Sequence, residues 1–350
     1  MKSRLAKKLI PYVPGEQPKN GNFIKLNTNE NPYPPSPKAV NALSSYDTVR
    51  LRLYHNPSAI SLRESLADYE NVKTENVFVG NGSDEVLSLA FASFFDGDGA
   101  PVLFPDVTYS FYTVFCSLYG INYKQIPLCK DFSLDVNDYI GRETTGIVIA
   151  NPNAPTAISI AGQDIRKLLE AYPDKVIIID EAYVDFSRHP SVAPLTKEYP
   201  NLLVVKTFSK SRSMAGSRLG YAIGNQALIN TLRTVKDCFN SYPVNSLTAL
   251  MGEESVKDDE YFVTNVKKII STREIVKAEL FSMGYEVTDS DANFLFARHP
   301  EKSGKYLQEK LRESNIIVRR FDAPRISDYL RITIGSEDEM QAFLSALKNL

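Results

Sequence analysis

The sequence predicts an α/β fold: a large domain built on a mostly parallel seven-stranded sheet covered by helices, and a smaller α+β domain. Short apolar runs recur seven times between residues 77 and 223. Many of these runs are separated by stretches whose apolar residues lie three and four apart, which is typical of helices. Strands and helices in alternation favour a parallel sheet with helices on both faces. After about residue 241 the pattern changes to charged helical sequence and then to further strand-like runs.

The predicted strands of the large sheet are residues 77–79, 101–104, 125–128, 146–150, 176–179, 202–205 and 219–223. The run 176–179 is continuously apolar, as expected of a strand that is covered on both faces. Helical spacing is clear between the runs, for example at Ile165, Leu168 and Leu169. We therefore expect seven buried strands.

Pattern and composition divide the chain into three parts. Residues 1–40 are rich in proline and asparagine, which predicts an extended arm with few helical turns. Such an arm needs another surface to lie on, and we assign it to the small domain. Residues 41–240 form the predicted large domain and residues 241–350 the small one. The small domain begins with a long helical stretch, and its strand-like runs are 292–297, 315–319 and 329–334.

Composition narrows the classes of function. The net charge of the 350 residues is −2 with acids and bases interspersed, so there is no electrostatic reason to expect nucleic acid or membrane as a partner. The three cysteines lack CxxC spacing, which indicates reduced thiols. No stretch has the length of a membrane span or the apolar core of a signal peptide, and the three histidines share no ligand spacing. We expect a soluble cytoplasmic protein without a metal.

Lys210 is the most informative residue of the chain. It follows the apolar run 202–205 among small hydroxyl residues, eight residues before Arg218. Such a lysine can condense with an aldehyde if neighbouring cations lower its pKa, although a lone lysine is usually a surface residue. The preceding strand ends in Asp180, and Tyr183 follows three residues later. These four side chains at the ends of two strands are the protein half of a pyridoxal phosphate site.

Asp180 also allows a different interpretation, because residues 177–181 could be the Walker B strand of a P-loop nucleotide hydrolase. That function requires a Walker A motif. The one Gly-Lys pair, at residues 304–305, is followed by Tyr306 and lacks the earlier glycine. Asp180 therefore needs another cation, and a protonated pyridine nitrogen supplies one. At roughly 4 Å and an effective dielectric constant near 20, such a pair is worth about 4 kcal/mol.

A phosphate site is predicted where a strand gives way to a helix at Gly82, Ser83 and Asp84. Free backbone N–H groups and the positive end of the helix dipole would meet there. A capped turn without a ligand remains an alternative for this motif alone. Arg218 could clamp the same phosphate with two parallel hydrogen bonds, or form a surface salt bridge.

Tyr109 and Arg331 complete the candidates. Tyr109 follows another strand end, where its ring could either stack on an aromatic ligand or fill the core. Arg331 alternates with Leu330 and Ile332 on a predicted strand, so it lies on the opposite face from them. It is either solvated or binds an anion.

Together these residues resemble the fold type I pyridoxal phosphate enzymes and, within them, the histidinol-phosphate aminotransferases. The similarity extends nearly from end to end. The segments that carry it are 9–15 (LIPYVPG), 26–33 (LNTNENPY), 151–156 (NPNAPT), 180–183 (DEAY), 209–210 with Arg218, and 330–332 (LRI).

The resemblance implies a role for each residue that contacts the cofactor ring. Lys210 would hold pyridoxal 5'-phosphate through an imine and then shuttle a proton between the substrate carbon and the cofactor carbon. Asp180 would stabilise the protonated ring, Tyr183 would hydrogen-bond its phenolic oxygen, and Tyr109 would stack on its face.

The resemblance also implies how the cofactor phosphate is bound. Ser83, Ser209 and Arg218 would hold it together with the amides around residues 82–84 of the large domain. Tyr54 would reach it from the partner subunit of a homodimer. The active site would then lie at the dimer contact, to which the N-terminal arm contributes.

For the substrate, the resemblance implies that Arg331 binds the anionic end, alternately the phosphate of histidinol phosphate and a carboxylate of glutamate. Tyr12 and Arg319 would add to the phosphate contact. The expected reaction converts L-histidinol phosphate and 2-oxoglutarate into imidazole acetol phosphate and L-glutamate, in histidine biosynthesis. Relatives on the same scaffold transaminate aromatic amino acids or decarboxylate threonine phosphate, and these remain alternatives. A non-catalytic regulator that binds the cofactor is a further alternative, against which Lys210, Asp180 and Arg218 argue.

Three positions depart from the family pattern. Ala154 stands where the family often has an asparagine that hydrogen-bonds the ring oxygen. Either Asn153 substitutes for it or Tyr183 acts alone. Ala157 replaces the usual glycine of that turn, and Ser217 replaces an apolar residue. None of these changes removes a group that transfers protons, but a missing hydrogen bond would change the proton affinity of the imine.

Overall fold

The N-terminal segment contributes a strand to the smaller of two sheets. The computed structural model describes residues 2–18 and 22–350. Helix α1 spans Arg4–Lys8, strand β1 spans Ile24–Leu26 and helix α2 spans Pro37–Ser44. Strand β1 pairs in parallel with the segment Ile316–Val318 near the other end of the chain. The expected arm thus has a surface to lie on, but α2 crosses the predicted boundary at residue 40.

The large sheet contains all seven predicted strands, and its mostly parallel character is confirmed. Its strands are β2 (Val77–Gly80), β3 (Val102–Pro105), β4 (Tyr123–Ile126), β5 (Gly146–Ala150), β6 (Val176–Asp180), β7 (Leu202–Thr207) and β8 (Gly220–Gly224). They are ordered β2-β8-β7-β6-β5-β3-β4. Only β8 runs antiparallel to its neighbours, which are β2 and β7. The expectation that every strand is buried is wrong for β4, since three of its four residues are exposed at the sheet edge.

Helices cover both faces of this sheet. They are α3 (Ile60–Tyr69), α4 (Ser83–Phe94), α5 (Phe111–Tyr119), α6 (Gly162–Ala171) and α7 (Gln226–Phe239). Within β6, Ile177 and Ile179 pack into the core on one face and Ile178 into the core on the other. All three are completely buried. A strand that is enclosed on both faces is continuously apolar because it has no solvent-facing side.

The C-terminal part builds the small sheet. Its elements are α8 (Ser246–Val256), α9 (Asp259–Ser282), β9 (Glu286–Val287), β10 (Phe294–Arg298), α10 (Gly304–Glu313), β11 (Ile316–Arg320), β12 (Leu330–Thr333) and α11 (Glu337–Lys348). The sheet has the order β1-β11-β12-β10-β9. The single long helix expected after residue 241 is two helices, and β9 was not predicted. No helix in the described part of the chain is both long and apolar enough to cross a bilayer.

Candidate active site

A cavity of about 360 Å³ lies between the carboxyl ends of the central strands and the small sheet. The register of the large sheet places Ala150 of β5 beside Asp180 of β6, and Asp180 beside Val205 of β7. Residues that follow these strand ends therefore converge, as is usual in open parallel sheets. The predicted site residues that line the cavity are Tyr12, Ser83, Asp84, Tyr109, Asp180, Tyr183, Ser209, Lys210, Arg218, Arg319 and Arg331.

Lys210 directs its amine into this cavity. Its Nζ donates a hydrogen bond to the carbonyl oxygen of Thr28 at 3.2 Å and lies 5.7 Å from the centre of the Tyr183 ring. The partner is thus a neutral carbonyl rather than a carboxylate. An amine held in this way can react with a carbonyl carbon once it has lost its proton.

Asp180 is a buried carboxylate whose hydrogen-bond donors are uncharged. The hydroxyl of Tyr112 donates to it at 3.0 Å and the backbone N–H of Ala182 at 3.2 Å. Burial raises the pKa of Asp180 to about 6, and these two hydrogen bonds partly oppose that shift. A buried carboxylate is costly without a cation beside it, so this position suits a cationic ligand. The sequence did not single out Tyr112, because a tyrosine in the apolar helix α5 has the pattern of core packing.

An anion cradle is formed where α4 begins. The first residue of α4 is Ser83, and no side chain caps the free N–H groups of this turn. A Cβ atom on Gly82 would lie 2.6 Å from Nη2 of Arg218, and one on Gly220 would lie 2.3 Å from the backbone N of Ser83. The two glycines therefore allow a guanidinium and a strand end to approach an uncapped helix terminus. These groups together suit a phosphate.

The carboxylate of Asp84 organises one wall of this cradle. It accepts a hydrogen bond from the hydroxyl of Tyr109 at 2.7 Å and forms an ion pair with Arg218 at 3.1 Å. Burial and the negative charge of Asp84 raise the pKa of Tyr109 well above its usual value. The phenol therefore stays protonated at neutral pH and fixes the Tyr109 ring at the edge of the cavity. Ser209, on another side, accepts a hydrogen bond from the hydroxyl of Thr207 at 3.0 Å.

The structure argues against a cofactor contact by Asn153. Its Nδ2 donates to the carbonyl of Val107 at 2.9 Å and to the hydroxyl of Thr156 at 2.8 Å. Its Oδ1 accepts from the hydroxyl of Thr108 at 2.7 Å. One amide hydrogen is thus used by the loop after β3 and the other by the loop that contains Asn153 itself. Asn153 does not line the cavity. Of the two alternatives at Ala154, these contacts therefore favour Tyr183 acting alone over a substitution by Asn153.

Arg331 lines the cavity from strand β12 of the small sheet. Its Nη2 donates to the carbonyl of Asn27 at 3.0 Å, while its Nε is buried and has no hydrogen-bond partner among the described residues. The rings of Phe294 and Phe321 each lie 5.4 Å from the guanidinium carbon. Desolvation lowers its pKa. A desolvated guanidinium with an unused donor favours anion binding over a solvated role.

Two further predicted residues lie close to Arg331. Arg319 donates to the carbonyls of Val13 and Pro14 at 3.1 and 3.3 Å, and so ties the N-terminal segment to the small sheet. The ring of Tyr12 packs against Phe111 with 4.5 Å between ring centres. Both line the cavity, so a second cation and a hydroxyl accompany Arg331 there.

Tyr54 is not brought to the cavity of its own chain. It is 85% exposed, and its ring lies 4.9 Å from that of Tyr242. Leu51 and Leu53 beside it are also exposed. A contact between Tyr54 and a cofactor would therefore require a second chain.

Comparison with known proteins identifies the family. Residues 21–347 match the family model for aminotransferase class I and II. The histidinol-phosphate aminotransferase of Acetobacter pasteurianus is 49% identical over 348 residues, which cover 99% of this chain and 97% of that protein. The histidinol-phosphate aminotransferase of Lactococcus lactis subsp. cremoris strain SK11 is 51% identical over 338 residues, covering 97% and 94%.

Solved structures share the fold. The histidinol-phosphate aminotransferase from Clostridium acetobutylicum superposes with a TM-score of 0.86 at 25% identity, covering 93% of this chain and 98% of that one. That from Sinorhizobium meliloti, solved in complex with pyridoxal-5'-phosphate, gives a TM-score of 0.84 at 21% identity and covers 93% and 90%. The chain belongs to the class I and II aminotransferases and, within them, to the histidinol-phosphate aminotransferases, which depend on pyridoxal phosphate.

Proposed function

We propose that this protein transfers an amino group between L-histidinol phosphate and 2-oxoglutarate, forming imidazole acetol phosphate and L-glutamate in histidine biosynthesis. The observation that carries the proposal is the pairing, in one cavity, of the Lys210 amine, whose hydrogen-bond partner is a neutral carbonyl, with a desolvated guanidinium at Arg331. The first suits amino transfer and the second suits an anionic substrate. Relatives that are about half identical over nearly the whole chain are named histidinol-phosphate aminotransferases.

The donor set fits pyridoxal phosphate. The uncapped start of α4, with Ser83, Ser209 and Arg218, suits its phosphate, and the buried carboxylate of Asp180 suits a protonated ring nitrogen. When bound, the cofactor supplies an aromatic ring that accepts electrons from the substrate carbon. The chain itself has to bind and orient that ring and to move protons.

Lys210 has two roles in this proposal. Its Nζ would hold the cofactor in the resting enzyme, and the same amine would move a proton between the amino-bearing carbon of the substrate and the cofactor carbon. The contact to the Thr28 carbonyl keeps the amine inside the cavity. Both half-reactions use the same amine, so ping-pong kinetics should follow.

Three side chains orient the ring. Asp180, when ionised, keeps the ring nitrogen protonated, and the hydrogen bond from Tyr112 holds the carboxylate in place. Tyr183 donates a hydrogen bond from its hydroxyl to the phenolic oxygen of the ring. Tyr109, held by Asp84, packs on the ring face.

Arg331 binds the anionic end of either substrate, and Arg319 and Tyr12 add contacts to the phosphate of histidinol phosphate. A phosphate and a carboxylate both match the planar fork of a guanidinium, which explains how one site accepts both substrates. Because Arg331 has no carboxylate partner among the described residues, no ion pair seen in the structure has to break when the substrate enters.

We further propose a homodimer in which Tyr54 reaches the cofactor phosphate of the neighbouring chain. Its 85% exposure and the exposed apolar residues around it support a subunit contact there. The two sites would then each depend on both chains.

The half-reaction of the cofactor-loaded enzyme tests the substrate assignment. Adding L-histidinol phosphate or glutamate should abolish the visible absorbance of the bound cofactor, whereas Lys210→Ala should retain visible absorbance because it cannot move the proton. Phenylalanine should react more slowly than histidinol phosphate. Faster conversion by phenylalanine would make the protein an aromatic aminotransferase, and no response to any donor would favour the non-catalytic regulator.

Arg331→Leu tests the anion contact in the same assay. The variant should react about 10- to 100-fold more slowly with both donors at low concentration, which corresponds to a charged hydrogen bond of about 1.5–3 kcal/mol. The matched control is Arg298→Leu on the neighbouring strand β10. Arg298 forms an exposed ion pair with Glu286 at 2.7 Å and does not line the cavity, so this change should have little effect. Equal rates for Arg331→Leu and the wild type would contradict the anion contact.

A further inference from the structure

The hydroxyl of Tyr183 has a hydrogen-bond partner that fixes the direction of its proton. Nδ2 of Asn29 donates to the Tyr183 oxygen at 2.9 Å. A phenol has one proton, and its oxygen here already accepts. The proton is therefore free to be donated elsewhere, and Asn29, Ala154 and Tyr183 all line the same cavity.

The orientation of the Asn29 amide follows from its own hydrogen bonds. The backbone N–H of Asn29 donates to the hydroxyl oxygen of Thr333 at 2.9 Å. The Thr333 hydroxyl therefore directs its proton at the side-chain oxygen of Asn29, at 3.2 Å. With the oxygen facing Thr333, the NH₂ group must face Tyr183, so the network itself assigns the amide.

The backbone of Asn29 is held as firmly as its side chain. The residue is 1% exposed, and its carbonyl accepts a hydrogen bond from Nδ2 of Asn293 at 3.1 Å. Its φ of 54° lies in the left-handed region, which asparagine tolerates better than most residues. Because both the backbone and the side-chain oxygen of Asn29 are held, its NH₂ group points in one direction and keeps the Tyr183 oxygen an acceptor.

The need for such a group follows from the loop around Ala154. The alanine methyl cannot donate a hydrogen bond to the ring oxygen, and both amide hydrogens of Asn153 are used elsewhere. Tyr183 is thus the donor on which the proposed function relies. Without a fixed neighbour, the Tyr183 hydroxyl could rotate its proton towards another acceptor. The ring oxygen would then lose its hydrogen bond, and the proton affinity of the nitrogen that joins Lys210 to the cofactor would change.

We propose that Asn29 is a positioning residue that keeps Tyr183 a donor to the cofactor ring oxygen, and so compensates for the asparagine absent at Ala154. Asn29 acts through Tyr183 and does not take part in proton transfer itself. The inference rests on the proposed function, in which Tyr183 contacts that oxygen.

The test is the pH titration of the visible absorbance of the bound cofactor, without substrate. A donor to the ring oxygen stabilises its negative charge and lowers the pKa of the nitrogen that joins Lys210 to the cofactor. Asn29→Gly removes the amide, and glycine accepts the left-handed backbone. It should raise the spectral pKa by about one unit. Tyr183→Phe should raise it at least as much, and the double variant Asn29→Gly with Tyr183→Phe no further than Tyr183→Phe alone.

Controls separate this role from a structural one. Asn76→Ala deletes an amide outside the cavity, which donates to the carbonyl of Gly224 at 2.9 Å. It should leave the spectral pKa unchanged. If Asn29→Gly does not fold, Thr333→Val frees the amide from its anchor and should produce an upward shift of the same sign.

The outcomes distinguish the two proposals. No shift in Tyr183→Phe would contradict the role that the proposed function gives to Tyr183. A shift in Tyr183→Phe with none in Asn29→Gly or Thr333→Val would overturn the Asn29 inference alone. Additive shifts in the double variant would also overturn it, since Asn29 would then act independently of Tyr183.

Discussion

At the scale of single residues, Asp180 destabilises the fold in which it serves. Burial raises the pKa of Asp180 from 3.8 to about 6. Between about pH 4 and pH 6, the folded cofactor-free protein therefore keeps a proton on this carboxyl group that the unfolded chain has lost. As far as this group is concerned, the free energy of unfolding is therefore highest below about pH 4 and falls as the pH rises through about 6. Above that pH the ionised carboxylate costs about 3 kcal/mol relative to the unfolded chain.

Replacement of Asp180 by asparagine should therefore stabilise the cofactor-free protein. Urea unfolding at pH 8 should show Asp180→Asn more stable than wild type by about 1–3 kcal/mol, with a smaller difference at pH 4.5. The same change should weaken cofactor binding, since the ring nitrogen loses its counter-charge. Asp98→Asn, in an exposed loop, is the control and should alter neither property. Equal stability of Asp180→Asn and wild type at both pH values would show that burial does not raise the Asp180 pKa.

Single residues also show how far sequence reasoning extended into the site. The cluster of Lys210, Asp180 and Arg218 could be predicted because each stands beside a strand end, and strand ends meet in a parallel sheet. Asn29 and Tyr112 could not be identified in this way. Each contacts a site residue that is distant along the chain, Asn29 to Tyr183 and Tyr112 to Asp180, and such a contact depends on tertiary packing.

At the scale of elements, the anion cradle depends on a close approach between the first residue of β8 and the start of α4. Gly220 is the first residue of β8, paired with Gly80 on one side and Thr207 on the other. A Cβ atom there would lie 2.3 Å from the backbone N of Ser83, and no side chain can rotate away to relieve that contact. The strand or the helix terminus would have to move.

Gly220→Ala should accordingly disturb both folding and cofactor binding. We expect a loss of about 1–3 kcal/mol in unfolding free energy, the usual cost of overpacking, and weaker binding of inorganic phosphate and cofactor. Gly162→Ala at the start of α6 is the matched control, because its nearest neighbour would be an ordinary contact at 3.7 Å to Val192. Differential scanning calorimetry and a cofactor titration would measure the two effects. Unchanged cofactor affinity in a folded Gly220→Ala protein would show that the cradle does not require this close approach.

The elements that sequence analysis described less well share a physical reason. The central strands have continuous apolar runs because they are enclosed on both faces, whereas the edge strand β4 is exposed in three of its four positions. The break between α8 and α9 lies at the short segment between Val256 and Asp259, which contains neither glycine nor proline. Charged residues of this kind suit a helix interior and a turn alike, so the pattern did not reveal the break.

At the scale of the whole molecule, the two cores suggest where the domains divide. Val244, Met251 and Val256 pack into the core of the large sheet. Val266 and Ile269 of α9 pack into that of the small sheet. We therefore propose that the second domain boundary lies between α8 and α9 rather than at residue 241. A boundary read from composition falls where the sequence pattern changes, whereas the boundary of a core depends on which sheet a helix covers.

The dimer proposal concerns the molecule as a whole, because it makes each active site depend on two chains. If Tyr54 acts across the interface, a heterodimer of one Lys210→Ala chain and one Tyr54→Ala chain contains one site with both residues intact and one site with neither. Purified through two different affinity tags and assayed at limiting cofactor, it should recover about half of the wild-type activity, since one of two equivalent sites is whole. Lys210→Ala homodimers should be inactive, and Tyr54→Ala homodimers should bind the cofactor phosphate weakly.

The alternative arrangement gives a different result in the same experiment. If Tyr54 served its own chain, the heterodimer would contain one site without Lys210 and one without Tyr54, and its activity could not exceed half that of the Tyr54→Ala homodimer. The structure favours the first result, because Tyr54 is 85% exposed and is not among the residues that line the cavity of its own chain. Recovery of activity in the heterodimer would therefore establish both the dimer and the shared site.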